Sequence, residues 1–324
     1  MMLELVLLLL PLLIGYGIPP LSQPIENTLN RILGVEIYII LVLMGASLTS
    51  LPHWIEQLQQ LWWQTMVLTG LILVFNLLGL WVVMKIVKRA SVSEVSYTAS
   101  CTSASNQSDE TWDDTESRAN TGVIGSLRSA LLPVLLVVTG IALGEACSSI
   151  SHAASFVVTL LIYLLLLLIG HQLRDANVSL KRLVMNRLGV SMAGAVIISS
   201  ALAGLCSMPF LHMSLAASVA LSSGFGWYSL SSVMLNNLLG PYYGGLALCN
   251  DLAREIVAIM LMPLLFKRGA PMAIGYCGAT AMDVTLPLIR RQGGVAVLPL
   301  ALCSGFLLSL ASPLLMVLLS MIAQ

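Results

Sequence analysis

The sequence predicts an all-α polytopic membrane protein of about eight transmembrane helices, with two further segments that are re-entrant or broken helices. Three observations predict it. Of 324 residues, 58% are hydrophobic and 9% charged, with a mean hydropathy of +0.93, more apolar surface than a soluble core can bury. Apolar runs of about 20 residues, the length a helix needs to cross a bilayer, recur along the chain. Lysines and arginines gather in loops that fall on one side of such a succession of spans.

The first apolar run, 3–18, has no basic residues before it and is followed by Pro19 and Pro20 without a small-residue cleavage pattern, so it reads as a span rather than a signal peptide. Further spans follow at 32–50, 62–86, 128–147, 155–173, 188–207, 246–266 and 294–320. Lys85, Lys88, Arg89 and Arg128 flank one loop, Arg174, Lys181, Arg182 and Arg187 another, and Lys267, Arg268, Arg290 and Arg291 a third. Placing all three in the cytoplasm, with Arg31 beside them, puts both termini outside. Residues 1–89 then hold three spans and 127–324 a transmembrane core. Between them, 90–126 is Ser/Thr-rich and acidic (Glu94, Asp109, Glu110, Asp113, Asp114, Glu116) and reads as a cytoplasmic linker.

Two stretches remain. Residues 212–240, "HMSLAASVALSSGFGWYSLSSVMLNNLLG", must leave and return to the outer face, and 272–291, "MAIGYCGATAMDVTLPLIRR", to the inner face. Each is apolar at its ends and interrupted in the middle. Non-helical backbone at membrane depth is tolerated only inside protein or beside a watery cavity. Opposed segments of this kind are expected of inverted repeats, which hold substrate near the midplane. For 212–240, two short crossings or one kinked span remain the alternative.

Formal net charge is zero, so no basic stripe exists to neutralise nucleic acid. Cys101, Cys147, Cys206, Cys249, Cys277 and Cys303 show no metal or redox spacing, and His53, His152, His171 and His212 are scattered. No metal or cofactor is expected, and the sequence leaves the oligomeric state open.

The chemistry concentrates in "LALCNDLAREIVAIMLMP", Leu246–Pro263. With a helix starting near Gly245, Asp251 lies about 9 Å deep and Glu255 about 15 Å deep, near the midplane. Arg254 can pair with Asp251 as simple helix glue, which leaves Glu255 without a partner. Asp283 arrives on the other interrupted segment. A charge at the bilayer centre costs at least about 2.5 kcal/mol, so Glu255 and Asp283 are the transport and proton-coupling candidates. Asp251, Arg254, Asn250, Gly224, Gly226, Trp227, Tyr228, Ser229, Gly278 and Thr280 are candidates for lining a substrate site, with Asn236 and Asn237 nearby. Glycines there permit positive φ and close backbone approach, and free N–H groups at a half-helix would favour an anion. Trp227 and Tyr228 could wall a cavity or anchor the interface. Glu36 and Glu145 read as snorkelling to the interface, and Arg31 and Glu56 as loop residues.

"SSGFGWYSLSS", "NDLAREIVAIMLMP" and "CGATAMDVTLPLIRR", in that order after an early "PLLIGYGIP" and "LVLMGASL", resemble the bacterial lysine exporter (LysO) family over nearly the whole chain outside 90–126. That region is longer and more acidic than the family leads one to expect, which puts any regulatory conclusion in doubt. The resemblance implies export of L-lysine, and of toxic analogues such as thialysine, across the inner membrane, with transport dependent on Glu255 and Asp283. It also implies kinship with antiporters that use crossed, broken helices.

Lysine is a net monocation, which suits a site with surplus acid. Arg254 or exposed backbone N–H groups could take its α-carboxylate. Moving one positive charge out against the membrane potential costs about 2.3 kcal/mol per 100 mV, so export needs coupling, and exchange for an inbound proton would be electroneutral. Rivals are a sodium/proton antiporter, an exporter of another amino acid and, remotely, an intramembrane aspartyl protease, whose GxGD signature is absent. The first two keep the same acids. An enzyme is not expected.

Overall fold

The computed structural model describes residues 23–49, 54–90, 123–146 and 186–323, with isolated positions from 10 to 18 and from 157 to 171. Residues 91–122 of the expected linker, and most of the expected spans 3–18 and 155–173, lie outside the described residues.

Every described element is helical, and no strand occurs among the described residues. In chain order they are α1 (Gln23–Leu48), α2 (Trp54–Ala90), α3 (Val123–Ala146), α4 (Arg187–Leu211), α5 (Leu215–Ser222), α6 (Tyr228–Leu239), α7 (Pro241–Arg268), α8 (Ala270–Cys277), α9 (Leu286–Gly293) and α10 (Leu298–Ala323). Short 3-10 turns occupy Gly278–Met282 and Val295–Val297. Gln59–Val87, Arg187–Leu211 and Val295–Ala323 are long and apolar enough to cross a bilayer. At 28 residues, α7 reaches about 42 Å, but Asp251, Arg254 and Glu255 interrupt its apolar character.

Helix ends follow local chemistry. Asn186 caps α4 by accepting from the Gly189 N–H at 3.0 Å. His212, at φ 53°, closes it with an N–H to Met208 O, and Ser214 then caps α5. Pro241 opens α7 directly after Gly240. The helices overrun the apolar runs that announced them. α1 starts at Gln23, not at 32, because polar residues such as Asn27 and Asn30 continue a helix as long as their backbone can hydrogen-bond. Arg31 therefore lies within α1 and Glu56 in the first turn of α2, which corrects the loop expectation for both.

α2 serves as a ruler for the bundle. At one end, Gln64 Nε2 donates to Leu211 O (3.0 Å) while its Oε1 accepts from the Tyr242 hydroxyl (2.6 Å). The two ends of 212–240 thus sit at the same level, so α5 and α6 form a hairpin that enters and leaves at one end. At the other end, Met84 packs on Gly269, and Gly293 packs on Phe266. Segment 270–293 likewise returns to where it began. Between these levels Thr69 meets Asn250, Asn76 accepts from Ser199 and Ser200, and Leu80 meets Gly275. Gln64 to Met84 is about 30 Å of helix, one hydrocarbon thickness.

Each hairpin has its own core. Leu68, Ile72, Leu221, Leu230, Val233 and Leu246 pack around the first. Leu80, Val196, Ile259, Met262, Ile274 and Ile289 pack around the second. Trp227, half-buried, touches both.

Candidate functional site

The two interruptions meet. α5 stops at Ser222 and α6 resumes at Tyr228, while α8 stops at Cys277 and α9 resumes at Leu286. The Ala279 N–H donates to Phe225 O across the junction at 3.0 Å. Gly278, at φ +69°, places its α-carbon against that same carbonyl, a contact that no side-chain-bearing residue could make. Phe225 itself holds φ 51°, a conformation costing of the order of 1 kcal/mol that only a well-packed surround maintains. Thr280 shapes the second break: its hydroxyl donates to Cys277 O (2.9 Å), and its carbonyl accepts from the Thr285 hydroxyl (2.9 Å) and the Asp283 N–H (3.2 Å).

α7 runs past this junction, and Glu255, 13 residues from Tyr242 and 14 from Gly269, stands midway between the two end levels. Asp251 is buried and accepts from the Gly226 N–H (3.1 Å) and the Ser231 hydroxyl, so it ties α7 to the first break. Gly224 lies directly against the same carboxylate, where a methyl group would collide with it. Arg254, 1% exposed, donates from Nε and Nη2 to Tyr276 O at 3.4 Å, and its guanidinium lies 5.7 Å from the Tyr276 ring centroid, so it ties α7 to the second break. The expected mutual neutralisation of Asp251 and Arg254 is thereby corrected. They attract one another at a distance, but the hydrogen bonds of each go to a different hairpin.

Glu255 is 2% exposed and its Oε2 has no hydrogen-bond partner among the described residues. It lies within electrostatic reach of Asp283 and Asp251, and Tyr228 lies within reach of Glu255 and Asp283. Asp283 is exposed beside the buried run 272–281, and one of its oxygens accepts from the Val284 N–H. Glu255, Asp283 and Tyr228 therefore form one electrostatic cluster drawn from α7 and both hairpins. Asn250 is buried and accepts from the Thr69 hydroxyl at 3.0 Å; Ser229 is buried on the first turn of α6; Asn236 is buried and Asn237 half-buried near its end.

Glu36 departs from expectation. It is buried, 3% exposed, and neither carboxylate oxygen has a partner among the described residues, so it does not snorkel. Glu145 is exposed, as a snorkelling residue would be. A glutamine at position 36 keeps the shape and removes the ionisable group, so Glu36→Gln is expected to stabilise the fold by about 1 kcal/mol, read as a higher thermal midpoint in detergent. A lowered midpoint would show that the carboxylate is held favourably.

Ser231, the Tyr276 carbonyl, Thr69 and Gln64 have no counterpart among the sequence candidates. Ser231 sits in "SSGFGWYSLSS", but nothing local distinguishes it from Ser229.

The sequence model of the family described as lysine exporter LysO matches residues 134–320. Lysine exporter LysO of Escherichia coli K12 is 35% identical over 312 residues, 96% of this chain and 97% of that protein. A Haemophilus influenzae protein named "Putative lysine exporter" is 41% identical over 181 residues, 56% of this chain and 93% of its own length. No solved structure matches. These are transport proteins, and a helical, strongly apolar chain fits that company. With a family match over more than half its length and a full-length relative, the chain belongs to the lysine exporter LysO family.

Proposed function

We propose that the protein exports L-lysine, and analogues such as thialysine, across the bacterial inner membrane in exchange for protons, with Glu255 and Asp283 binding whichever cation is being moved. The observation that carries this is Glu255: a buried carboxylate with an unpartnered oxygen, midway along α7, facing Asp283 where two broken helices meet. An unpaired acid at that depth is costly unless a cation visits it. Two acids that hold either a proton or an ammonium, but not both, are the minimal device for exchange.

The architecture supports alternating access. The order long helix, eight-residue half-helix, break, half-helix occurs twice, as α4–α5–α6 and α7–α8–α9, and the two hairpins enter from opposite ends. Inverted repeats of this form rock about a fixed midplane site. We place about eight spans and two re-entrant hairpins in the membrane, with both termini periplasmic.

One lysine cation leaving for one proton entering moves no net charge. Proteoliposomes loaded with labelled lysine are therefore expected to lose it faster when the outer medium is acidified, with little response to an imposed potential. Efflux indifferent to the pH gradient would reject proton coupling, and preferential exchange of sodium would favour the antiporter reading.

A further inference from the structure

Arg254 presents a problem that its neighbours do not solve. Its guanidinium is 1% exposed, yet its protein partner is one carbonyl, Tyr276 O, reached by Nε and Nη2 at 3.4 Å. That is beyond the usual range of about 2.7–3.2 Å, so both bonds are weak. Those contacts use one edge of the fork. Nη1, at its other end, has no hydrogen-bond partner among the described residues. The nearby carboxylate of Asp251 does not supply one; its two oxygens accept from the Gly226 N–H and the Ser231 hydroxyl.

The surroundings favour a ligand over a structural counter-ion. Both breaks bring glycine to the arginine: Gly226 faces its Cδ, and Gly278 lies beside Nη2. Backbone without side chains on two sides leaves the guanidinium bordered by the very segments whose meeting forms the site. The adjacent residue, Glu255, is the acid with an unpartnered oxygen. Helix geometry turns neighbouring side chains about 100° apart, so one turn of α7 offers a cationic and an anionic group in different directions. A metal ion, a proton or a diamine would need only the acids. Asp251 balances the charge of the guanidinium at a distance, but its open Nη1 end is used only by a ligand that brings its own anion.

We infer that Arg254 is the anion-binding half of the site and takes the α-carboxylate of the exported amino acid, while Glu255 and Asp283 face its ammonium groups. This rests on the proposed function and adds what that reading leaves open, the orientation of the substrate and the residue that reads its carboxylate. A planar guanidinium receives a carboxylate through two parallel hydrogen bonds, which lysine or glutamine at this position could not reproduce.

The test is displacement of labelled lysine from the purified full-length protein in detergent, where no membrane potential complicates charge differences. Unlabelled lysine, cadaverine, which is lysine without its carboxylate, and lysine amide are the competitors. A charge-assisted hydrogen bond makes lysine the better competitor by about tenfold or more. In Arg254→Gln and Arg254→Lys, lysine's advantage over cadaverine is expected to shrink, with cadaverine's own affinity little changed. Cadaverine and lysine amide matching lysine on the unmutated protein would overturn the inference, whatever becomes of the variants. Absence of lysine binding and exchange altogether would instead overturn the proposed function beneath it.

Discussion

Glu255→Gln and Asp283→Asn are each expected to abolish protection against a toxic lysine analogue in a strain lacking lysine efflux, with the protein still present in the membrane at its usual level. Both changes keep side-chain shape and remove the charge, so packing around α7 and the second break is retained. What is lost is the attraction between a carboxylate and an ammonium, about 3 kcal/mol at the buried Glu255, hence a fall of about a hundredfold in export there. Glu255 should give the larger effect because it is 2% exposed and lacks a protein partner for Oε2, whereas Asp283 is open on one side and holds the Val284 N–H. Growth equal to the unmutated gene in either variant would remove that residue from the transport site.

Gly278→Ala is expected to act on the junction itself. A methyl group there would strike the Phe225 carbonyl and lie 3.0 Å from Arg254 Nη2, in a backbone held at φ +69°. The strained conformation alone costs about 1–3 kcal/mol, and the collision must in addition push the two hairpins apart. Lysine exchange should be lost and the thermal midpoint lowered. Gly294 separates the two causes, because it has φ +74° but nothing within 4 Å of an added methyl. Gly294→Ala should therefore lose only the conformational part and keep most of the exchange. If both alanine variants behaved alike, tip-to-tip contact would be irrelevant to transport.

Glu36 shows how a boundary error becomes a functional one. Counted from an apolar run starting at 32, it lies about one turn inside a span, near enough to reach the interface. α1 starts at Gln23, so Glu36 lies 13 residues in and is covered on all sides. Hydropathy marks where side chains are apolar, while the helix ends where its backbone bonds end. α7 likewise starts at Pro241, four residues before the Gly245 from which the depth of Glu255 is counted in the sequence, yet Glu255 still falls midway along it because the helix also runs on to Arg268.

Asp251 and Arg254 illustrate the opposite limit. Their spacing on one helix suggests a pair, and spacing can suggest nothing else. Their actual partners, Gly226, Ser231 and Tyr276, come from segments 20 to 25 residues away whose approach depends on how two hairpins fold against α7.

The sequence by itself determined the helical membrane class, the two interrupted segments and the family, and it singled out Glu255 and Asp283 as candidates. Each is written in local composition or in short motifs, and a charge in an apolar run is conspicuous without any fold. Only the tertiary structure decided that the tips of the two interrupted segments are joined by Ala279 and Phe225, and that the hydrogen bonds of Asp251 and Arg254 go to opposite segments instead of to each other. Those outcomes depend on hydrogen bonds between residues distant in sequence, which leave no periodicity behind and exist only once the helices have packed.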